Sequence, residues 1–285
     1  MSSFRERNDR RNRFSHPSGA GGPGRREGRP NPGGGDWLWG RHAVAAALAN
    51  PARAPFKRLL ATPDALKALQ ADSAAREALA GSGVKPETAD SGEIARLLPP
   101  GAAHQGLALS AAPLEPVALE DLAEPAAGVL VMLDQVTDPQ NVGAVFRSAA
   151  AFGARGVILQ DRHAPAFSGA LAKAAAGAIE QVPAVRVVNL ARALDQLVDA
   201  GWRTVGLAGE AQADLAAVLA DRAPTVLVLG SEGEGLRRLV GEHCDVLARI
   251  PMPGGFESLN VSAAAAVALY EAARAERLRV GGEPG

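Results

Sequence analysis

Between Gly128 and Ile250 the chain returns again and again to short, almost wholly apolar runs. They are Val129–Leu133 (VLVML), Val157–Leu159, Val185–Val188, Arg203–Leu207, Thr225–Leu229 (TVLVL) and Val246–Ile250. A strand with one wet face alternates apolar and polar residues; several of these do not alternate, so both of their faces must be covered. Helical stretches lie between them, at Val142–Phe152, Ser168–Gly177, Leu190–Ala200, Leu215–Leu219 and Leu236–Glu242. Apolar strands spaced by helices predict a mainly parallel sheet clothed on both sides. A further helix, Ser262–Arg274, is predicted after the last strand, capped by Ser258 or Asn260.

The region before Gly128 has a different texture. Residues 1–35 are mostly Arg, Gly, Pro, Ser and Asn and are expected to be disordered, since they have little apolar surface to offset ordering entropy. They hold eight arginines against three acids, a net +5 that leaves −6 for the rest of the chain. A basic tail on a mildly acidic body suits a polyanion partner. Residues 36–111 read as a compact α/β module. It has order from Asp36, a helix Ala43–Ala49, strands Arg58–Ala61 and Val84–Thr88, a helix Ala65–Ala80, a helix Ile94–Leu98 and a strand Gln105–Ser110. Residues 112–126, rich in Pro, Glu and Leu, are expected to be a linker, with the larger domain over 127–285.

With 47% hydrophobic and 21% charged residues in 285, the chain is long and apolar enough for a sizeable core in two domains. A single cysteine, Cys244, excludes an internal disulfide and suits a reducing compartment. It sits at the entry to a strand and reads as a small buried filler. No signal-peptide pattern and no apolar run of membrane-spanning length is visible, so the expectation is a cytoplasmic protein with no membrane partner and no metal.

Three loops carry the chemistry. The first, Asp134–Ala149 (DQVTDPQNVGAVFRSA), follows a strand and runs into a helix that carries Arg147 among small apolar residues. An arginine there is expensive to bury without an anion. The second, Leu227–Leu236 (LVLGSEGEGL), puts three glycines around two carboxylates. It lacks the Gly-Lys-Ser/Thr of a phosphate loop and the G-x-G-x-x-G of a dinucleotide site, and its acids suit a ligand with a positive centre or ribose hydroxyls. The third, Ile250–Leu269 (IPMPGGFESLNVSAAAAVAL), turns sharply through Pro253-Gly254-Gly255 into the last helix. All three follow strands of one sheet, and ligands of open α/β sheets sit beyond the carboxyl ends of the strands.

Together these three stretches resemble the signature motifs of the SpoU/TrmH branch of the SPOUT methyltransferases, over roughly residues 128–275. The front module resembles the L30-like RNA-binding domain that precedes the catalytic domain in many members. The resemblance implies S-adenosylmethionine as cofactor and methyl transfer to the ribose 2′-hydroxyl of RNA, with a guanosine of 23S rRNA as the target. A tRNA ribose methyltransferase is the alternative, and a non-catalytic RNA-binding assembly protein a more distant one. It also implies a C-terminal trefoil knot and a homodimer with the two sites at the subunit interface. By motif position, Leu207, Ala208, Gly209, Gly230, Ile250, Met252 and Leu259 would line the cofactor. Asn141, Arg147, Glu232, Ser258 and Asn260 would face the reacting ribose. Guanidinium is hardly ever deprotonated in proteins. Arg147 is therefore expected to grip phosphate and hydroxyl, with proton loss assisted by the RNA phosphate or by Glu232.

Overall fold

The computed structural model describes residues 37–162, 164–167, 169–254 and 258–280, with side chains to residue 277. The expectation of a disordered tail over residues 1–35 lies outside the described residues, as do Asp36 and Ser168.

The front module runs β1 (Trp37–Trp39), α1 (Arg41–Ala49), β2 (Arg58–Ala61), α2 (Pro63–Ala71), α3 (Ser73–Ser82), β3 (Pro86–Thr88), α4 (Ser91–Leu97) and β4 (Leu107–Ser110). Its sheet has the order β1-β4-β2-β3, with only the β2–β3 pair parallel. The helix expected over Ala65–Ala80 is two helices. Asp72 takes an extended conformation between them, and its carboxylate accepts from the Ala75 amide to cap α3. An acid that can cap the second helix outweighs the helix-favouring run of alanines and leucines around it. The strand expected from Val84 is shorter and begins at Pro86. In α4, Asp90 and Glu93 form a reciprocal capping box.

The larger part follows as α5 (Leu119–Ala123), β5 (Val129–Leu133), α6 (Pro139–Ala151), β6 (Gly156–Gln160), α7 (Gly169–Ala175), β7 (Ala184–Val187), α8 (Leu190–Asp199), β8 (Arg203–Leu207), β9 (Ala213–Asp214), α9 (Leu215–Val218), β10 (Thr225–Leu229), α10 (Arg238–Glu242), β11 (Val246–Arg249) and α11 (Val261–Val280). The seven strands lie in the order β7-β6-β5-β10-β8-β11-β9, and every neighbouring pair is parallel. Successive side chains point to opposite faces. Val131, Leu133, Leu227 and Leu229 therefore enter the core beneath α6, α7 and α11, while Leu130, Met132, Val226 and Val228 enter the core beneath α5 and α8. The two-sided burial predicted from the apolar runs is what the sheet needs.

Residues 112–126 are more than a linker. Val117 bridges to Val185 at the sheet edge, and Leu119, Leu122 and Ala123 of α5 are buried against β7 and α8. The front module is also fastened directly to the larger part. Gly169 opens α7 so close to β1 that a Cβ there would stand 2.0 Å from the Trp39 ring and 2.2 Å from the Trp37 carbonyl. Arg53, 1% exposed, donates to Glu180, 3% exposed, through Nε (3.0 Å) and Nη2 (2.8 Å), and the Asn50 amide donates to the other oxygen of Glu180 (2.8 Å). One hydrophobic core runs through both parts.

Candidate active site

The chain leaves β5 upward, builds β6 and β7 on one side, then crosses to β8 on the other. β10 returns between β5 and β8. The loops after β5 and β10 thus meet at the point where the strand order reverses, the place where open α/β sheets bind ligands.

The loops after β5, β10 and β11 each deliver one polar side chain to the site. Asp138 caps α6 by accepting from the Gln140 amide (3.1 Å), with Pro139 in the first turn, and this sets Asn141 on the exposed start of the helix. Asn260 caps α11. Its Oδ1 accepts from the amides of Ser262 (2.9 Å) and Ala263 (3.4 Å) and from the Ser262 hydroxyl. Of the two expected caps, Asn260 therefore fills the role and Ser258 does not. The other end of the Asn260 amide donates to Asn141 Oδ1 (3.1 Å) and to Glu232 Oε1, and Asn141 Nδ2 donates to the same Glu232 oxygen (2.9 Å). Three residues separated by as many as 119 positions form a closed triangle. Glu232 Oε2 accepts nothing among the described residues.

Beside the triangle opens a cleft of about 1310 Å³ between the loops after β8, β10 and β11. All seven residues expected to hold the cofactor, Leu207, Ala208, Gly209, Gly230, Ile250, Met252 and Leu259, line it, together with Glu232 and Ser258. Arg147 stands apart. It is itself exposed, between the buried Phe146 and Ala149 of α6, does not line the cleft, and has no ion pair among the described residues. Burial, the reason it drew attention in the sequence, is therefore not its situation.

Two residues of the site carried no assigned role in the sequence. Asp134, fully buried at the end of β5, accepts from the backbone amide of Arg237 (2.9 Å) and from its guanidinium (2.7 and 2.6 Å). Arg237 also donates to Gln160 (3.0 Å). This clasp pins the far end of the glycine loop to the neighbouring strand. It also delays α10, which begins at Arg238 rather than at the expected Leu236. The available signal was an acid directly after a buried strand, and an Arg-Arg pair directly after Glu232–Leu236 (EGEGL). Cys244, expected to be a buried filler, is only half-buried, packed against the core beneath α5 and α8. Its thiol meets the Val240 carbonyl at 3.3 Å, and burial first, then Asp245 and Asp134, push it up to about 12.

Over residues 128–270 the chain matches the SpoU rRNA methylase family, and over residues 37–117 it matches the substrate-binding module of RNA 2′-O ribose methyltransferases. It belongs to the SpoU rRNA methylase family. It is 48% identical over 183 residues to the 23S rRNA (guanosine-2′-O-)-methyltransferase RlmB of Xylella fastidiosa, covering 62% of this chain and 73% of that one. An uncharacterized tRNA/rRNA methyltransferase of Synechocystis sp. is 40% identical over 246 residues, 83% of this chain but only 62% of that longer one. Among solved structures, the SpoU methyltransferase AviRb from Streptomyces viridochromogenes, in complex with the cofactor AdoMet, superposes with a TM-score of 0.68 at 25% identity. That match covers 86% of this chain and 91% of that chain. Among the described residues no helix is long and apolar enough to cross a membrane.

Gly230 shows why position alone did not give the reason for a residue. A glycine expected by motif position to line the cofactor suggests a residue left small for an approaching ligand. A Cβ there would instead lie 2.0 Å from the backbone of Gly235 and 2.3 Å from the Leu236 amide, so its own loop crowds it. Gly230→Val should force that loop open and weaken S-adenosylmethionine at least about tenfold, the effect of ~1.4 kcal/mol, with a native far-UV circular dichroism spectrum. Unchanged affinity in calorimetric titration would show that the loop does not shape the cleft.

Proposed function

We propose that the chain transfers a methyl group from S-adenosylmethionine to the ribose 2′-hydroxyl of a guanosine in 23S rRNA. The observation that carries this is the Asn141–Glu232–Asn260 triangle, standing at the mouth of a cleft lined by every residue the family motifs assign to the cofactor. The cleft suits that cofactor chemically. Leu207, Leu229, Ile250, Met252 and Leu259 offer apolar walls. Glu210 and Glu234 line it without an ion pair among the described residues, which favours a cationic ligand.

Bound S-adenosylmethionine supplies a methyl group on a positively charged sulfur. Its carbon–sulfur bond would break, leaving a neutral thioether, as the 2′-oxygen bonds to that carbon, and the chain's own residues would have to take the hydroxyl proton. Asn141 and Asn260 hold Glu232 by one oxygen, and Oε2, without a partner among the described residues, is the atom that takes the proton. Because the Asn260 amide is fixed by the start of α11 and Asn141 stands in the first turn of α6, the carboxylate is oriented before the RNA arrives, and orientation of this kind supplies much of the rate. Arg147, exposed and with no acidic partner among the described residues, is assigned to the phosphate and hydroxyl of the incoming nucleotide. Ser258, at the cleft rim, faces the same ribose.

The same reading includes a knotted C-terminal region and a homodimer. Supporting the dimer, α11 exposes Val267 (42%) and Tyr270 (52%) beside Phe152, which meets the Tyr270 ring edge-on at 5.9 Å. Sedimentation equilibrium of the chain tests it, and a monomer at micromolar concentration would refute it. The test of the function is twofold: titration with S-adenosylmethionine, and mapping of 2′-O-methyl positions in 23S rRNA incubated with the protein. Binding with a single new methylated guanosine is expected; absence of cofactor binding, or methylation of tRNA alone, would overturn the assignment.

A further inference from the structure

A second concavity lies far from the cleft in sequence terms, where the front module meets α7. It measures about 310 Å³ and is lined by Arg41, His42, Ala65, Ala68, Gln105 and Leu107, with no carboxylate among them. Arg41 and His42, at the start of α1, are exposed. Lys173 reaches in from α7. Its ammonium donates to Gln105 Oε1 at 2.7 Å, and it lies across Gly40 so closely that a Cβ there would be 2.5 Å from Nζ. The same Gln105 oxygen accepts from the Arg41 amide at 3.1 Å. The Lys173 ammonium and the Arg41 backbone amide thus meet at one neutral side-chain amide, beside a hollow that the Arg41 and His42 side chains line.

None of the three has an acidic partner among the described residues. On α2, whose Ala65 and Ala68 form one wall, Asp64 and Lys67 cancel each other in charge. Burial holds the Lys173 amine below the ordinary lysine range, as expected for a cation that has lost water without gaining a counter-charge. Gln105 itself sits at φ 54°, a left-handed conformation that a side chain rarely adopts, kept in place by its two donors. Strain of this sort persists where the surroundings over-determine it and is found at ligand clamps. The hollow is too small for a folded partner and has the right chemistry for a phosphate: guanidinium, ammonium and imidazole donors and no competing acid.

We propose that Arg41, His42 and Lys173 form a seat for a backbone phosphate of the RNA, placed where the front module joins α7. This rests on the reading of the chain as an RNA methyltransferase. The phosphate comes from the RNA chain because residues 37–117 match a substrate-binding module and the seat includes that module's first helix. Such a contact positions the RNA without reading its sequence.

The test uses the full chain and a transcribed 23S rRNA fragment, titrated at several salt concentrations. Arg41→Gln and Lys173→Gln should each weaken binding and lower the slope of log affinity against log salt by about 0.7–1. Arg41→Lys and Lys173→Arg should keep the slope. S-adenosylmethionine affinity should be the same in all five proteins. An unchanged slope in both glutamine variants overturns the seat. So does equal loss of RNA and cofactor binding in the glutamine and charge-keeping variants, which would make these residues structural. A failure of the methyltransferase reading looks different: the unaltered chain would not bind S-adenosylmethionine, while a slope difference among the variants would still stand.

Discussion

Arg147→Ala is expected to slow methyl transfer about thirty- to a thousandfold and to leave S-adenosylmethionine affinity nearly unchanged. The magnitude is that of one charge-assisted contact which tightens as charge develops, roughly 2–4 kcal/mol. Cofactor affinity is spared on two grounds: Arg147 does not line the cleft, and a cationic sulfur gains nothing from a guanidinium. The side chain also holds nothing in place, since it is exposed and unpaired among the described residues, so its removal should not unfold the protein. Arg147→Lys should rescue poorly, because it keeps the charge and loses the planar fork. Single-turnover methylation beside calorimetric titration reads both effects. Near-normal turnover in the alanine variant would return Arg147 to an ordinary surface arginine.

Arg53→Ala should cost about 3–5 kcal/mol of unfolding free energy, the loss typical when one member of a buried ion pair is removed and the other is left behind. Glu180 is 3% exposed and would keep only the Asn50 amide. The Arg53 guanidinium also donates to the Ala112 carbonyl (3.2 Å), so the joint between front module and larger part loses a second tie. Arg53→Met combined with Glu180→Leu should recover most of the loss, since an apolar pair of similar volume needs no counter-charge. Urea denaturation of the three proteins decides it. A loss under about 1 kcal/mol in the alanine variant, the range of exposed pairs, would mean that water reaches Glu180.

How much of this was legible in the sequence depended on how local each cause was. Strands β2, β5, β8 and β10 were placed to the residue, because an apolar run bounded by Gly, Pro or charge carries its own limits. The α2–α3 break was missed because a capping acid and an acid on a wet helix face look alike until the amide three residues on is seen to point at it. α11 runs to Val280, past the expected Arg274, because its exposed face of Glu and Arg gives no stop signal. At the site, the motifs named the three members of the triangle and the lining of the cleft. The Asp134–Arg237 clasp joins residues 103 positions apart and the Arg53–Glu180 pair 127, and no periodicity announces such a partnership. The crowding of Gly230 by its own loop was equally hidden, since it depends on how residues 231–236 fold back.

Asn260 divides one side-chain amide between two tasks, the oxygen serving the helix and the nitrogen serving Glu232. The first turn of α11 and the orientation of the proposed base therefore stand or fall together. Helix ends are where structure loosens first, so mild heat or denaturant should switch off turnover while the sheet beneath is still intact. An aspartate at this position would keep the cap, yet it would set a second carboxylate against Glu232 where a donor is needed. That atom-level sharing makes residue 260 a place where stability and chemistry cannot be tuned independently.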